Sequence, residues 1–126
     1  MYTILVCDDE QDIVSALEIY LTAEGYRVLK AYNGKEALAV AAREEVHLIL
    51  MDIMMPVMDG LQAIRKIRTL KRPDAQTIPV FAMTANAFQE DIQKSREAGI
   101  TAHFSKPLDY EMLVRKIREM NRVTGV

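Results

Sequence analysis

Leu48-Ile49-Leu50-Met51-Asp52-Ile53-Met54-Met55-Pro56-Val57-Met58-Asp59-Gly60 is the stretch that decides the fold. Four consecutive apolar residues suit a strand covered on both faces, which places a strand from His47 to Met51 near the centre of a parallel sheet. Asp52 terminates that strand, at the edge where open parallel sheets collect ligands and chemistry. A second apolar strand, Ile4 to Cys7, ends in the pair Asp8-Asp9, so three carboxylates are expected to converge.

Outward from this centre, short apolar runs alternate with longer segments of helical period, the pattern of repeated βαβ units. Ile13, Ala16, Leu17, Tyr20 and Leu21 follow the spacing of a helix with one buried face, ended by Gly25. A strand near Arg27 to Ala31 leads to Asn33, a helix cap with Glu36 as its capping-box partner, and that helix should bury Ala37, Leu38 and Ala41. Asp59 caps a third helix, with Gly60 as a turn residue; Leu61, Ile64 and Ile67 face inward and Arg65, Lys66 and Arg68 outward. Lys71 to Asp74 read as a solvated, flexible connection. Strands at Ile78 to Met83 and Thr101 to Ser105 flank a helix from Phe88 to Ala98, and a last helix from near Asp109 turns Leu113, Val114, Ile117 and Met120 inward. The reading is an α/β, doubly wound domain of five parallel strands and five helices, occupying residues 1–126 as one unit.

The chain's 126 residues suffice for one core, and 16 basic against 18 acidic residues give no basic excess with which to bind nucleic acid directly. The single cysteine, Cys7, lies in an apolar strand and reads as core packing in a reducing compartment. Met1 precedes the first strand too closely for a signal segment, and no apolar run approaches the roughly 20 residues that cross a bilayer. A cytoplasmic protein without membrane contact is expected.

Parallel strands would bring Asp8, Asp9, Asp52, Thr84 and Lys106 to one edge. Three close carboxylates repel one another and stay ionised only beside a cation, and an all-oxygen set favours a hard metal such as Mg2+. With a metal screening phosphoryl oxygens, a free oxygen of Asp52 can attack phosphorus, while Lys106 and the Thr84 hydroxyl hold other phosphoryl oxygens. Each residue alone has a plainer explanation: Asp8-Asp9-Glu10 as a solvated helix entry, Asp52 as a turn cap, Lys106 as an exposed lysine before Pro107, and Thr84 as a loop tie. Their joint placement at four strand ends favours the chemical reading.

At these residues the chain resembles the receiver domain of two-component response regulators along essentially its whole length. The family's acid pair, phospho-accepting Asp, Thr or Ser, and Lys-Pro correspond to Asp8-Asp9, Asp52, Thr84-Ala85 and Lys106-Pro107. The resemblance implies a flavodoxin-like sheet of order 2-1-3-4-5. It implies direct metal ligation by Asp9, Asp52 and the Met54 backbone carbonyl, with Asp8 acting through water, and a cis Lys106-Pro107 bond. It also implies a histidine kinase or histidine phosphotransfer protein as partner, and a switch in which Thr84 drives a surface made by the fourth and fifth helices and the fifth strand, a surface on which some relatives dimerise after phosphorylation. Where the family usually has Tyr or Phe, this chain has His103, which either serves the switch or simply lies on the surface of the last strand; Ala102 to Pro107 is similar to receivers attached to hybrid sensor kinases, whereas the first half is similar to receivers that precede a DNA-binding domain.

Two rivals are distinguishable. A Mg2+-dependent phosphatase with an Asp nucleophile commonly needs a second acid two residues on, and that position is Met54. A vestigial binding module would not need all five polar residues. His47 falls at the opposite end of the sheet and reads as structural. Met54, Met55 and Met58 flank the site either as gap-filling thioethers or as a docking surface for the helix carrying the donor histidine.

Overall fold

The computed structural model describes residues 1–55, 59–85 and 99–124. Five strands, β1 (Thr3–Cys7), β2 (Arg27–Ala31), β3 (Leu48–Asp52), β4 (Val80–Thr84) and β5 (Ala102–Ser105), form one parallel sheet in the order β2-β1-β3-β4-β5. The described helices are α1 (Gln11–Ala23), α2 (Gly34–Arg43), α3 (Gly60–Arg68) and α4 (Tyr110–Thr124). The helix expected from Phe88 to Ala98 lies outside the described residues.

Hydrophobic burial on both sheet faces explains this architecture. On one face Leu5, Cys7, Ile49, Met51 and Val80 pack against Ala37, Val40 and Ala41 of α2 and Ala63, Ile64 and Ile67 of α3. On the other, Ile4, Val6, Leu48, Leu50, Phe81 and Met83 pack against Val14, Leu17 and Leu21 of α1 and Leu113, Val114 and Ile117 of α4. Every residue of β1, β3 and β4 is buried, whereas β2 and β5 at the edges are only partly covered. Fully burying each large apolar side chain contributes roughly 1.5–3 kcal/mol, so the three central strands hold the frame on which the site is mounted.

Local details correct the sequence reading in several places. Asn33 Oδ1 does accept from Glu36 N at 2.8 Å, but the Glu36 carboxylate accepts from Tyr32 N at 2.9 Å, one residue before the position a capping box would use. Leu38 is only partly buried, and Val40 takes the core position. At α3 the complete box is present: Asp59 accepts from Gln62 N at 2.8 Å, and Gln62 Oε1 accepts from Asp59 N at 3.2 Å. Arg68 is not on the outer side of α3; its guanidinium donates to the carbonyls of Ala75, Ile78 and Gly99 at 3.1, 2.7 and 2.6 Å. Nor is the connection after it free in solvent. Arg72 donates to Ala41 O at 2.7 Å and Val46 O at 3.0 Å while paired with Asp74, tying the loop to the end of α2.

His47 is structural, as its position implied. Its Nδ1 accepts from Thr3 N at 2.9 Å, its Nε2 meets Glu45 at 2.8 Å, and its ring stacks on Tyr2 at 5.3 Å, joining the amino ends of β1 and β3.

Candidate functional site

Hydrogen bonds continue past the strand ends and hold the loop residues in register. Asp8 N donates to Ala31 O at 3.2 Å, Ile53 N to Met83 O at 3.2 Å, and Lys106 N to Thr84 O at 2.8 Å. Because Cys7 lies opposite Met51, Asp8 follows β1 level with Asp52; because Asp52 lies opposite Met83, Thr84 sits one residue further out. Thr84 in turn pairs with Ser105, which sets Lys106 just beyond. The parallel register therefore brings the predicted polar residues to one edge. Asp52 and Thr84 are the last strand residues rather than the first loop residues, which explains their burial.

One oxygen each from Asp8, Asp9 and Asp52 lies within 4.8 Å of the others. Asp8 and Asp52 are buried and Asp9 is exposed, so the cluster is a cup with one open side. Lys106 Nζ reaches into it, 2.8 Å from Asp8 Oδ2 and 3.4 Å from Asp52 Oδ2. That 2.8 Å contact pairs the fully buried Asp8 carboxylate directly with the lysine ammonium. The other Asp8 oxygen accepts from Glu10 N at 2.9 Å, and Asp52 Oδ1 accepts from Met54 N at 3.0 Å. Three clustered carboxylates with one open side form a set of hard oxygen donors that fits a hard divalent cation.

Burial pushes the Asp52 carboxyl up to about 6; the Met54 N–H lowers it, the Asp8 charge raises it, and Lys106 lowers it again. For Lys106, burial acts downward, but Asp8 and Asp52 more than offset it and leave the ammonium above its ordinary value. The lysine is therefore a fixed cation, and a second positive charge in the cup would hold Asp52 ionised.

Other expectations fare differently. Lys106-Pro107 is a cis peptide, as the resemblance implied. Met54 is 67 % exposed, while Met55 is buried against Cys7 Sγ at 3.8 Å, so Met55 belongs to the core and not to a docking surface. Met58 lies outside the described residues. Cys7 is buried, donates to Asn33 O at 3.3 Å and has its thiol pushed far up by burial, as core packing requires. His103 is half-buried on edge strand β5 with its Nε2 shielded from solvent; its neighbour Phe104 packs on Phe81 at a centroid distance of 5.2 Å. Sequence reasoning missed two residues. Gly60 is more than a turn residue: a Cβ there would run into the Asp52 carbonyl oxygen and lie 2.6 Å from Ile53 Cα. Glu10, treated as a helix entry, stands with Oε1 3.9 Å from Lys106 Nζ, a placement that a third consecutive acid at a strand end could have signalled.

A 2-1-3-4-5 parallel sheet with an acid cup and a lysine at its carboxyl edge defines a class of phosphoryl-handling signalling domains. The family model for the response regulator receiver domain matches residues 4–118, and the chain belongs to that family. It is a receiver of two-component signal transduction. It is 41 % identical over 119 residues to the response regulator PleD of Caulobacter vibrioides, covering 94 % of this chain but only 26 % of that longer protein. It is 34 % identical over 108 residues to the sporulation initiation phosphotransferase F of Bacillus subtilis, covering 86 % of this chain and 84 % of that one. Among solved structures, the receiver domain of the sensor histidine kinase PA1611 of Pseudomonas aeruginosa, which has a magnesium ion coordinated in its active-site cleft, superposes with a TM-score of 0.83. That match is 33 % identical and covers 99 % of this chain and 98 % of the other. Among the described residues no helix is long and apolar enough to cross a membrane.

Proposed function

We propose that Asp52 accepts a phosphoryl group from a phosphohistidine on a histidine kinase or phosphotransfer protein, and that the aspartyl phosphate biases a two-state surface read by an output partner. The observation that carries this reading is the placement of Asp52: buried at the end of a central strand, 3.4 Å from Lys106 Nζ and beside Asp8 and Asp9. Mg2+ would be held by Asp9, Asp52 and the Met54 carbonyl, with Asp8 acting through water. When bound, it supplies charge neutralisation for the phosphoryl oxygens.

The chain's own residues do the rest. The Asp52 oxygen facing Lys106 attacks phosphorus in line as the bond from phosphorus to the donor histidine nitrogen breaks and its electron pair stays on the imidazole; Lys106 takes one phosphoryl oxygen as a compact cation, and the Thr84 hydroxyl donates to another. Drawing Thr84 toward the phosphoryl group pulls on the end of β4 and, through the 2.8 Å bond from Lys106 N to Thr84 O, on β5. His103 on β5 carries that change to the surface formed with α4, where a partner or a second copy reads it. The domain promotes its own phosphorylation and hydrolysis but turns over no separate substrate, because position 54 offers a methionine where a phosphatase needs an acid. Residues 1–126 act as one cytoplasmic receiver unit with no direct contact to nucleic acid or membrane.

The test is intact-mass analysis after incubation with Mg2+ and acetyl phosphate or a phosphorylated kinase. The wild-type chain should gain one phosphoryl group and Asp52→Asn none; an equal adduct on the variant would overturn the assignment.

A further inference from the structure

We infer that Glu10 sets the choice of phosphodonor, favouring donors whose leaving group is a nitrogen base over donors that release an anion. This rests on Asp52 as phosphoacceptor. An open pocket of about 440 Å3 adjoins the acid cup, walled by Glu10 and Lys106 with apolar Ile13, Pro107, Leu108 and Tyr110. Lys106 is common to the pocket and the cup, so the two adjoin, and the pocket offers room beside a phosphoryl group lying at Asp52.

Glu10 occupies the N-cap position of α1, where a side chain ordinarily turns back to the helix, but its side chain makes no capping hydrogen bond. Its carboxylate instead stands 3.9 Å from Lys106 Nζ on the pocket wall and remains largely exposed. It is not one of the three clustered acids. Its charge therefore stands on the pocket side of Lys106, where it acts on whatever occupies the pocket.

The two donor classes differ there. With a phosphoramidate-type donor, an Asp52 oxygen bonds to phosphorus as the P–N bond breaks, and the electron pair stays on a nitrogen that was protonated in the donor and departs as a neutral base. With an acyl phosphate, the P–O bond breaks and the electron pair leaves on a carboxylate anion. A fixed negative charge beside the leaving atom attracts the first donor and opposes the second. At several ångströms in a solvated pocket this is worth about threefold in rate for each class, in opposite directions.

The experiment measures phosphorylation rates of the wild type, Glu10→Gln and Glu10→Lys by intact mass, with phosphoramidate and with acetyl phosphate, in the same Mg2+ buffer. The ratio of the acetyl phosphate rate to the phosphoramidate rate should rise about ninefold in Glu10→Gln, where both threefold effects are lost, and further in Glu10→Lys, and the rise should shrink at high salt. An unchanged ratio, or equal changes with both donors, overturns the role of Glu10 while leaving Asp52 as acceptor. A wild-type chain that gains a phosphoryl group from neither donor overturns the phosphoacceptor assignment itself.

Discussion

The Cβ that Gly60 lacks would fall on the backbone carbonyl oxygen of Asp52. The first residue of α3 is thus packed directly against the backbone that presents the Asp52 carboxylate. Gly60→Ala should destabilise the domain by about 1–3 kcal/mol, because the obstructing atoms are backbone and cannot rotate away. Urea unfolding measures the loss, and slower phosphorylation in the folded fraction would show that the displacement reaches Asp52. A variant as stable as the wild type would show that the contact relaxes freely.

Asp52 should make metal-free stability depend on pH in a defined direction. Its carboxyl sits at about 6 in the folded protein against an ordinary 3.8, so folding favours the protonated form. The stability it contributes is fully present below 3.8 and is lost as pH rises through about 6. Asp52→Asn, which keeps an acceptor for the Met54 N–H, should therefore be more stable than the wild type at pH 7 in EDTA, with the advantage vanishing near pH 3. An advantage that is constant across this range would contradict the role of burial.

Lys106 is the counter-charge of two buried carboxylates. Lys106→Met should lower the stability of the EDTA-treated protein by about 3–5 kcal/mol, since removing one partner leaves charge buried without compensation. Added Mg2+ should restore part of that loss and should raise the melting temperature of the wild type as ligand binding requires. Thermal melts in EDTA and in a Mg2+ series test both. No Mg2+ response in the wild type would contradict a metal site.

Arg68 and Arg65 lie one turn apart on α3 with opposite expected effects. Arg68→Ala strips donors from the carbonyls of Ala75, Ile78 and Gly99 and should cost about 3 kcal/mol. Arg65→Ala, at an exposed position, should stay within about 0.5 kcal/mol. Equal losses would show that charge rather than geometry decides.

The sheet was legible because four apolar residues before Asp52 and three before Cys7 admit few other placements, and the site followed from parallel strands alone. Asp8, Asp9, Asp52, Thr84 and Lys106 come together because the register of β1, β3, β4 and β5 aligns their ends. What the sequence concealed depends on partners distant along the chain. Arg68 reads as an exposed base until the carbonyl of Gly99 is brought beside it, and Gly60 reads as a turn until the Asp52 backbone closes over it. Met54 and Met55 are chemically identical, so only the turn of the chain after β3 could tell which faces the core.

That division between two neighbouring methionines has its own consequence. Met55 is a fixed anchor whose thioether touches Cys7, so any exchange there is judged by the core. Met54 enters the site only through its backbone, and its exposed side chain is free to drift. A lineage can therefore exchange the side chain two residues after Asp52 without renegotiating the fold that holds Asp52 in place.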